Sequence, residues 1–257
     1  MDIGLNLGSM LAAALLAGLR IGGVMVFSPF LGSLSVPMQV KAGLTLALTA
    51  LLYPAYAFPR IESSLLGWTR IALGEAVIGL LLGLTLNFIL EAAQFAGQMI
   101  GMQMGFSLVN ILDPQTQVDT PVLSIFSQLV ALLIFLQLDV HHWLLRGLAA
   151  SFSYLPPGAA WPKLGLTAGV LQAAGSLWLV GLQIAAPVVA ATLLADIALG
   201  FLGKASPQLP VLFFGLSIKS LLGLVVLVGT LALWPRVFER QFSAAIAAGE
   251  HLLHLAR

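Results

Sequence analysis

The stretch that decides the fold is residues 71–104, which read IALGEAVIGLLLGLTLNFILEAAQFAGQMIGMQM. It is apolar over most of its length, contains no proline and does not alternate between polar and apolar residues. About 20 apolar residues span a bilayer as a helix, and a continuous apolar run of this length favours helix over strand. The segment therefore predicts a long helix, one that exceeds a simple untilted membrane span.

The composition of the whole chain points the same way. Of 257 residues, 60% are hydrophobic and 8% charged, whereas soluble domains carry about 25% charged residues. The solvent of this chain is therefore mostly lipid or other apolar protein. The net charge of +1 indicates no nucleic-acid partner, and the absence of cysteine excludes disulfides. The N-terminus has no basic region of a cleaved signal peptide, so we expect the first apolar run to be retained.

The hydrophobic pattern predicts an all-α, polytopic protein of long helical hairpins in one domain over residues 1–257. Its two long hairpins lie either side of about residue 160 and form distinct halves. Two proline-containing dipeptides, Asp113-Pro114 and Thr120-Pro121, predict a loop over Phe106–Pro121. We expect a break at Ser28-Pro29 and Ser33–Pro37, a polar connection over Arg60–Arg70, a loop over Pro156–Pro162 and a turn over Gly203–Pro210. We expect apolar helices over about Leu5–Phe30, Val40–Phe58, Ile71–Met104, Val122–Leu138, Leu164–Phe201 (kinked at Pro187) and Val211–Trp234, a short interfacial helix over His141–Ser153 and an amphipathic tail over Arg236–Arg257.

A polar stripe runs along the end of the long segment. Asn87, Glu91, Gln94 and Gln98 follow one another at offsets of 0, 4, 7 and 11, which place them on one helix face at about 100° per residue. Met102 continues the stripe. Two interpretations remain open: a wet groove, lumen or subunit contact, and hydrogen bonding between helices of one bundle.

Glycines and methionines cluster where the stripe ends. Small residues four apart allow close helix packing, and this spacing recurs at Gly97, Gly101 and Gly105, at Gly79 and Gly83, and at Gly18 and Gly22. Met99, Met102 and Met104 either fill gaps in a core or form an adaptable seal, because methionine is flexible and polarizable.

Five ionisable residues interrupt the apolar runs: Arg20, Glu75, Glu91, Asp196 and Lys219. Charges at membrane depth are costly and usually face protein or water. A proton or ion relay, a segment outside lipid and buried ion pairs all fit. We favour structural pairing of Asp196 or a glutamate with Lys219 or Arg20.

The sequence offers little for catalysis. It has no HExxH motif and no phosphate-binding glycine loop followed by lysine. His141 and His142 are adjacent and are not expected to share a helix face, and His251 and His254 fit a solvated face of the tail. We therefore expect a non-enzymatic protein with no metal and no cofactor.

Several motifs occur in order along the chain. They are Ser35-Val36-Pro37, Val40–Leu44, Gly97–Gly105, Ser107, Asp113-Pro114, Pro121-Val122-Leu123, Ala205–Leu209 and Gly215–Lys219. Together they resemble the motifs of the FliR family, the R-type subunit of the flagellar type III export gate, whose injectisome counterparts are T-type subunits. The resemblance covers the whole chain, and the Gln-Met-Gly-x-Ser run favours the flagellar branch. Ser217 departs from it, standing where the family's pattern has proline.

The resemblance implies partners and a location. R-type subunits assemble with P-type and Q-type subunits into an export-gate core in the flagellar basal body of the bacterial inner membrane. A-type and B-type gate proteins and unfolded flagellar substrates in transit are implied as further contacts. It also implies a P-type-like half over about 1–160, a Q-type-like half over about 161–257, and helices that contact partner subunits more than lipid.

The resemblance also implies site residues. Met99, Met102 and Met104 map near a methionine-rich gasket, with Gln94 and Gln98 close to the same lumen. The family's plug loop maps onto about Gly105–Pro121. The apolar side chains that would block the channel are Phe106, Leu108, Ile111 and Leu112, and the other plug residues are Gly105, Ser107, Asp113 and Pro114.

The expected function is that of a non-enzymatic subunit of the flagellar export gate that supplies a plug loop. The alternative is a stand-alone secondary transporter of small solutes, with discontinuous helices around Pro114 and Pro187 and with Asp196 and Glu91 as coupling groups. A third interpretation, a purely structural scaffold, predicts that plug mutations change assembly but never conductance.

Overall fold

The computed structural model describes residues 3–29, 31–33, 36–52, 65–106, 122–158, 164–206, 208 and 211–255. Every regular element within these ranges is a helix, which confirms the all-α prediction. The helices are α1 (Ile3–Phe27), α2 (Met38–Leu52), α3 (Leu65–Met104), α4 (Val122–Gln137), α5 (Val140–Tyr154), α6 (Leu164–Ala205), α7 (Val211–Leu231) and α8 (Trp234–Leu255).

Four of these helices, α1, α3, α6 and α7, are long and apolar enough to cross a membrane. A fifth span results if α4 and α5, joined by a break of two residues, count as one. The chain is therefore polytopic, as its composition predicts. The amphipathic tail is also helical: α8 buries Trp234, Phe238 and Phe242, which recur every fourth residue along one face.

Two helix boundaries differ from the sequence-based prediction by four residues or more. Helix α3 begins at Leu65, so the expected polar connection over Arg60–Arg70 is wrong for residues 65–70, where one exposed arginine does not end an otherwise apolar helix. Helix α6 continues to Ala205, beyond the predicted end at Phe201. It is continuous through Pro187, and the kink expected there stays a prediction.

Ser217 lies within α7, which is continuous from Val211 to Leu231. The departure from the family's proline therefore does not interrupt this helix. The predicted helix end near Phe58 and most of the loop over Phe106–Pro121 lie outside the described residues.

The chain divides into two units. Unit 1 comprises Met1–Phe88, Leu136–Gly175 and Phe242–Arg257, and unit 2 comprises Ile89–Phe135 and Ser176–Gln241. Each unit draws on both sides of residue 160, so the units describe packing and not the two halves implied by the resemblance. The division into P-type-like and Q-type-like halves stays a prediction.

Glycines set the packing of α1 against α3 in unit 1. A Cβ added at Gly79 would overlap the carbonyl oxygen of Arg20, and one at Gly83 would lie 2.9 Å from the carbonyl carbon of Phe27. The spacing of Gly79 and Gly83 thus reports a true close approach of two backbones. Gly18 and Gly22 are different, since a Cβ there would make only ordinary contacts with α2.

Unit 2 packs α3 against α4 and α6 by the same means. A Cβ at Gly97 would overlap the carbonyl oxygen of Leu123 in α4, and one at Gly181 in α6 would lie 2.6 Å from the ring of Phe95. The Phe95 ring meets Trp178 edge-on, with centroids 4.6 Å apart. Gly97 is therefore a packing glycine, as its spacing predicts.

Candidate functional site

The end of α3 is closed by a complete capping motif. The amide of Phe106 donates to the Gly101 carbonyl at 3.0 Å, and the amide of Gly105 donates to the Met102 carbonyl at 3.1 Å. Gly105 has φ 89°. This is the Schellman pattern, which satisfies the last carbonyls of a helix and favours glycine at the left-handed position. The third glycine of the Gly97–Gly105 series therefore ends the helix instead of packing it.

The last turn of α3 is held by α7. Ser220 Oγ donates to the Met104 carbonyl at 2.9 Å. The Met104 side chain is completely buried and lies over Gly223, where an added Cβ would be 2.6 Å from Cγ and 2.8 Å from Sδ of the methionine. The hydrogen bond to its carbonyl and the packing of its side chain against Gly223 together hold Met104, the residue directly before Gly105.

A polar cluster of three side chains lies beside this anchor. Lys219 Nζ donates to Asp196 Oδ2 at 2.6 Å, and Gln103 Nε2 donates to the same oxygen at 3.3 Å. The cluster joins α3, α6 and α7 within unit 2. The structure thus contains the Asp196–Lys219 pair that the sequence favoured. The expectation that Asp196 is buried is wrong for the isolated chain, because its side chain is 44% exposed while that of Lys219 is 16% exposed.

The polar stripe faces away from the chain's own core. Asn87, Glu91 and Gln94 are half-buried and Gln98 is exposed, whereas Ala92, Ala93, Ala96, Ile100 and Met104 on the opposite side of α3 are completely buried. Among the described residues, the structure records no hydrogen bond or ion pair from the four stripe side chains. Hydrogen bonding to the described helices therefore does not account for the stripe.

The three methionines near the cap do not form one surface. Met104 is completely buried, Met102 is 52% exposed and Met99 is intermediate. Met104 thus fills core space, as the gap-filling interpretation predicts, and Met102 extends the exposed stripe. Of the predicted plug loop, the described residues include Gly105, in the cap, and Phe106, whose ring is 45% exposed. Ser107, Leu108, Ile111, Leu112, Asp113 and Pro114 lie outside the described residues.

Arg20 and Glu75 form a buried ion pair in unit 1. The Arg20 Nε donates to Glu75 Oε2 at 2.6 Å, and both side chains are 0% exposed. Arg20 also donates to Ser151 Oγ at 3.1 Å and to the Leu155 carbonyl at 3.0 Å, and its guanidinium lies 4.5 Å from the centroid of Phe152. These contacts bind α1 to α3 and α5.

The second carboxylate oxygen of Glu75 is also bonded. It accepts from the Gly158 amide at 2.8 Å, and Gly158 has φ 89°. Buried charges are tolerated when they are paired and their remaining hydrogen-bonding groups are satisfied. The structure thus supports structural pairing for Arg20 and Glu75 over an ion relay. Sequence reasoning missed Ser151 and Gly158, since no local pattern links residues so far apart.

Two adjacent histidines contradict the geometric argument made from sequence. The rings of His141 and His142 lie 4.1 Å apart between centroids. Together with Asp139 their ligand atoms all lie within 4.8 Å of one another. Both histidines lie in the first turn of α5, and Asp139, which precedes this helix with φ 54°, lies 3.9 Å from His141 Nε2 and 3.3 Å from His142 Nδ1. All three side chains are at least 39% exposed.

Residues 11–245 match the model of a protein family described as bacterial export proteins, family 1. The chain belongs to this family. Its curated relatives include proteins named flagellar biosynthetic protein FliR. That of Bacillus subtilis (strain 168) is 32% identical over 95% of both chains. That of Escherichia coli (strain K12) is 30% identical over 88% of this chain and 86% of the relative. That of Aquifex aeolicus (strain VF5) is 29% identical over 95% of this chain and 94% of the relative.

Two of the motifs quoted in the sequence analysis meet at the end of α3. The Gly97–Gly105 motif forms the last two turns of this helix and its cap, and the Gly215–Lys219 motif supplies the lysine of the polar cluster. Sequence reasoning missed Ser220, directly after Lys219, and Gly223, one turn after it in α7. Their signal in the sequence is weak, because a serine and a glycine are common in apolar helices.

Proposed function

We propose that this protein is a non-enzymatic subunit of the flagellar type III protein export gate, located in the bacterial inner membrane at the flagellar basal body. It forms part of the export channel together with P-type and Q-type subunits and contacts the A-type and B-type gate proteins. Its residues 105–121 supply a plug that closes the channel to ions between export events. Family membership and the names of the relatives support the export role.

One observation carries the assignment of a subunit that lines or adjoins a channel. The polar stripe of α3 points out of the isolated chain, and its amides and carboxylate have no partner among the described residues. Polar groups on a membrane-span-capable helix require partners, since hydrocarbon offers none. Partner subunits or a water-filled lumen supply them. Gln98 and Met102, the two exposed members nearest the cap, are closest to the proposed plug.

The anchoring of α3 supports the proposed plug. Segment 107–121 is flanked by Phe106 and Val122, and both flanking helix ends belong to unit 2. On one side Ser220 and Gly223 hold Met104, and on the other Leu123 packs at Gly97. A segment that moves without disturbing its channel needs fixed ends of this kind. In this proposal α3 and α4 are the frame, and the segment between them is the moving part.

The decisive test replaces residues 107–121 with a Gly-Ser linker of equal length in an assembled gate, leaving the cap at Gly105 and Phe106 intact. We expect ion leakage through the gate to rise while the complex still assembles. A linker replacing residues 53–64 is the control for general loosening. Assembled gates with unchanged leakage and unchanged export would refute the plug.

A second test addresses the stripe. Gln98→Leu removes an exposed amide, so the melting temperature of the purified chain should stay within about 2 °C, whereas export of flagellar protein should fall. Met104→Ala removes a buried side chain and should lower the stability of the isolated chain by about 2–5 kcal/mol. If Gln98→Leu leaves both assembly with P-type and Q-type subunits and export unchanged, the stripe is not a subunit or lumen surface.

The stand-alone transporter is less well supported. Its discontinuous helix at Pro187 is absent, since α6 is continuous there. Its coupling carboxylate, Asp196, is paired with Lys219. Co-purification with P-type and Q-type proteins, followed by mass measurement of the intact complex, separates the two functions. A solute-binding monomer would favour the transporter, and recovery only as a complex would favour the gate.

A further inference from the structure

A groove between α1, α2 and α3 in unit 1 is lined almost entirely by apolar groups. Its volume is about 610 Å³, within the range of about 300–1,000 Å³ that small-molecule sites occupy. Several lining side chains are largely open: Met38 is 73% exposed, Leu46 70% and Leu73 65%. Gly18 and Gly22 form part of its wall on α1. A groove of this composition suits a hydrocarbon chain.

Lys41 is the charged residue among those that line the groove. Its Nζ donates to the carbonyl oxygens of Gly32 at 3.1 Å and Ser33 at 3.0 Å. Carbonyls solvate an ammonium group without neutralising it, and no carboxylate of the described residues forms an ion pair with Lys41. Two of its three N–H groups are used in these bonds, which leaves a third donor and the full positive charge.

The remaining polar side chain of the groove is already satisfied. Thr45 Oγ1 donates to the Lys41 carbonyl at 2.8 Å. The accessible wall of the groove is thus apolar, and Lys41, whose stem is part of that wall, places a positive charge without a carboxylate partner next to the Gly32 and Ser33 carbonyls. This combination matches an amphiphile with an anionic head, and it does not match a small polar solute, which would leave its polar groups unpaired.

The position of Lys41 along the helices fits a membrane lipid. The span-capable part of α1 ends at Phe27, and the carbonyls that hold Lys41 belong to Gly32 and Ser33 directly beyond it. The ammonium group therefore lies at the polar end of α1, where long basic side chains reach the interface of a bilayer. The apolar wall extends from there along α1 towards Gly18.

We propose that this groove binds an anionic glycerophospholipid, with an acyl chain along α1 and α2 and the phosphate at Lys41. One basic residue near an anionic membrane surface contributes about 1 kcal/mol, which corresponds to about fivefold in affinity. The preference for anionic over zwitterionic lipid should therefore be about fivefold and should depend on this one side chain.

The test uses the full chain reconstituted in nanodiscs of phosphatidylcholine and phosphatidylglycerol at 4:1, extracted in mild detergent and measured by native mass spectrometry. We expect retained phosphatidylglycerol adducts, reduced about fivefold by Lys41→Gln and preserved by Lys41→Arg. Arg146→Gln removes an exposed charge elsewhere and should change nothing.

A second pair of variants tests the groove itself. Ala42→Phe places a ring in the groove and should abolish retention of both lipids. Gly43→Phe is the matched control, since the space around Gly43 is open and it does not line the groove. Equal retention by the wild type, Lys41→Gln and Ala42→Phe would overturn the proposal. So would a crosslink from position 42 to a partner protein in the assembled gate with no lipid retained, because a protein segment would then occupy the groove.

Discussion

Replacing Arg20 with methionine should destabilise the protein more than any single surface change. The variant leaves the Glu75 carboxylate buried with only the Gly158 amide as partner, and the Leu155 carbonyl loses its donor. Breaking a buried ion pair from one side costs about 3–5 kcal/mol, and Glu75→Leu should cost a similar amount. If the two effects were independent, the double variant would cost about 6–10 kcal/mol.

The double variant Arg20→Met/Glu75→Leu should cost much less than that sum. It removes both charges and leaves the Gly158 amide and the Leu155 carbonyl unpaired, at about 1–3 kcal/mol each, or about 2–6 kcal/mol in total. The midpoint of the summed single-variant costs is about 8 kcal/mol, and that of the double-variant cost is about 4 kcal/mol. The difference, about 4 kcal/mol, is the expected coupling energy between Arg20 and Glu75.

The assay is reversible unfolding of the purified chain in dodecyl maltoside by added sodium dodecyl sulfate, followed by far-ultraviolet circular dichroism. Arg146→Met, an exposed arginine in α5, is the control and should stay within about 0.5 kcal/mol of the wild type. Additivity of the two single variants within about 0.5 kcal/mol would refute the buried network.

Three further predictions concern other positions. Gly79→Ala should destabilise unit 1 by about 1–3 kcal/mol, since its methyl group meets the α1 backbone, whereas Gly147→Ala, in open helical surroundings, should stabilise by about 0.5–1 kcal/mol; thermal melting distinguishes them. Gly105→Ala forces a side chain into φ 89° and should cost about 1–2 kcal/mol, seen as faster amide exchange in the last turn of α3. Asp196→Asn should lower the free energy of unfolding by less than about 1 kcal/mol, because the ion pair is partly exposed. The double variant Asp196→Lys/Lys219→Asp keeps a pair of opposite charges and should melt at the wild-type temperature. A double variant that melts below the wild type by more than Asp196→Asn does would argue against the pair.

Elements longer than a few turns were predictable from sequence, because continuous apolar runs leave the backbone no other way to satisfy its hydrogen bonds. The end of the long helix at Met104 was predicted to the residue, because two proline-containing dipeptides mark the segment after it as a loop. Its beginning was not. Residues 65–70 are mixed in character, and the apolar neighbours of Arg70 keep that turn helical.

Partners across the fold were harder to predict. Sequence identified Arg20 and Glu75 as costly charges but allowed each several partners, because pairing depends on which helix faces meet. The three glycines of residues 97–105 look equivalent in sequence, yet Gly97 allows the close approach of α4, and Gly105 ends α3. Distinguishing them required the backbone conformation at Gly105, which no spacing rule encodes.

The buried arginine also has a consequence for how the chain is made. Glu75 follows Arg20 by 55 residues, and Leu155, the last of its described hydrogen-bonding partners, follows it by 135. At roughly 5–20 residues per second, Arg20 is therefore synthesised roughly 7–27 s before Leu155. An unpaired arginine at the centre of a span costs about 2.5–3.5 kcal/mol. We therefore expect the nascent first helix to be held by the insertion machinery, and not released into lipid, until α3 and α5 have been synthesised.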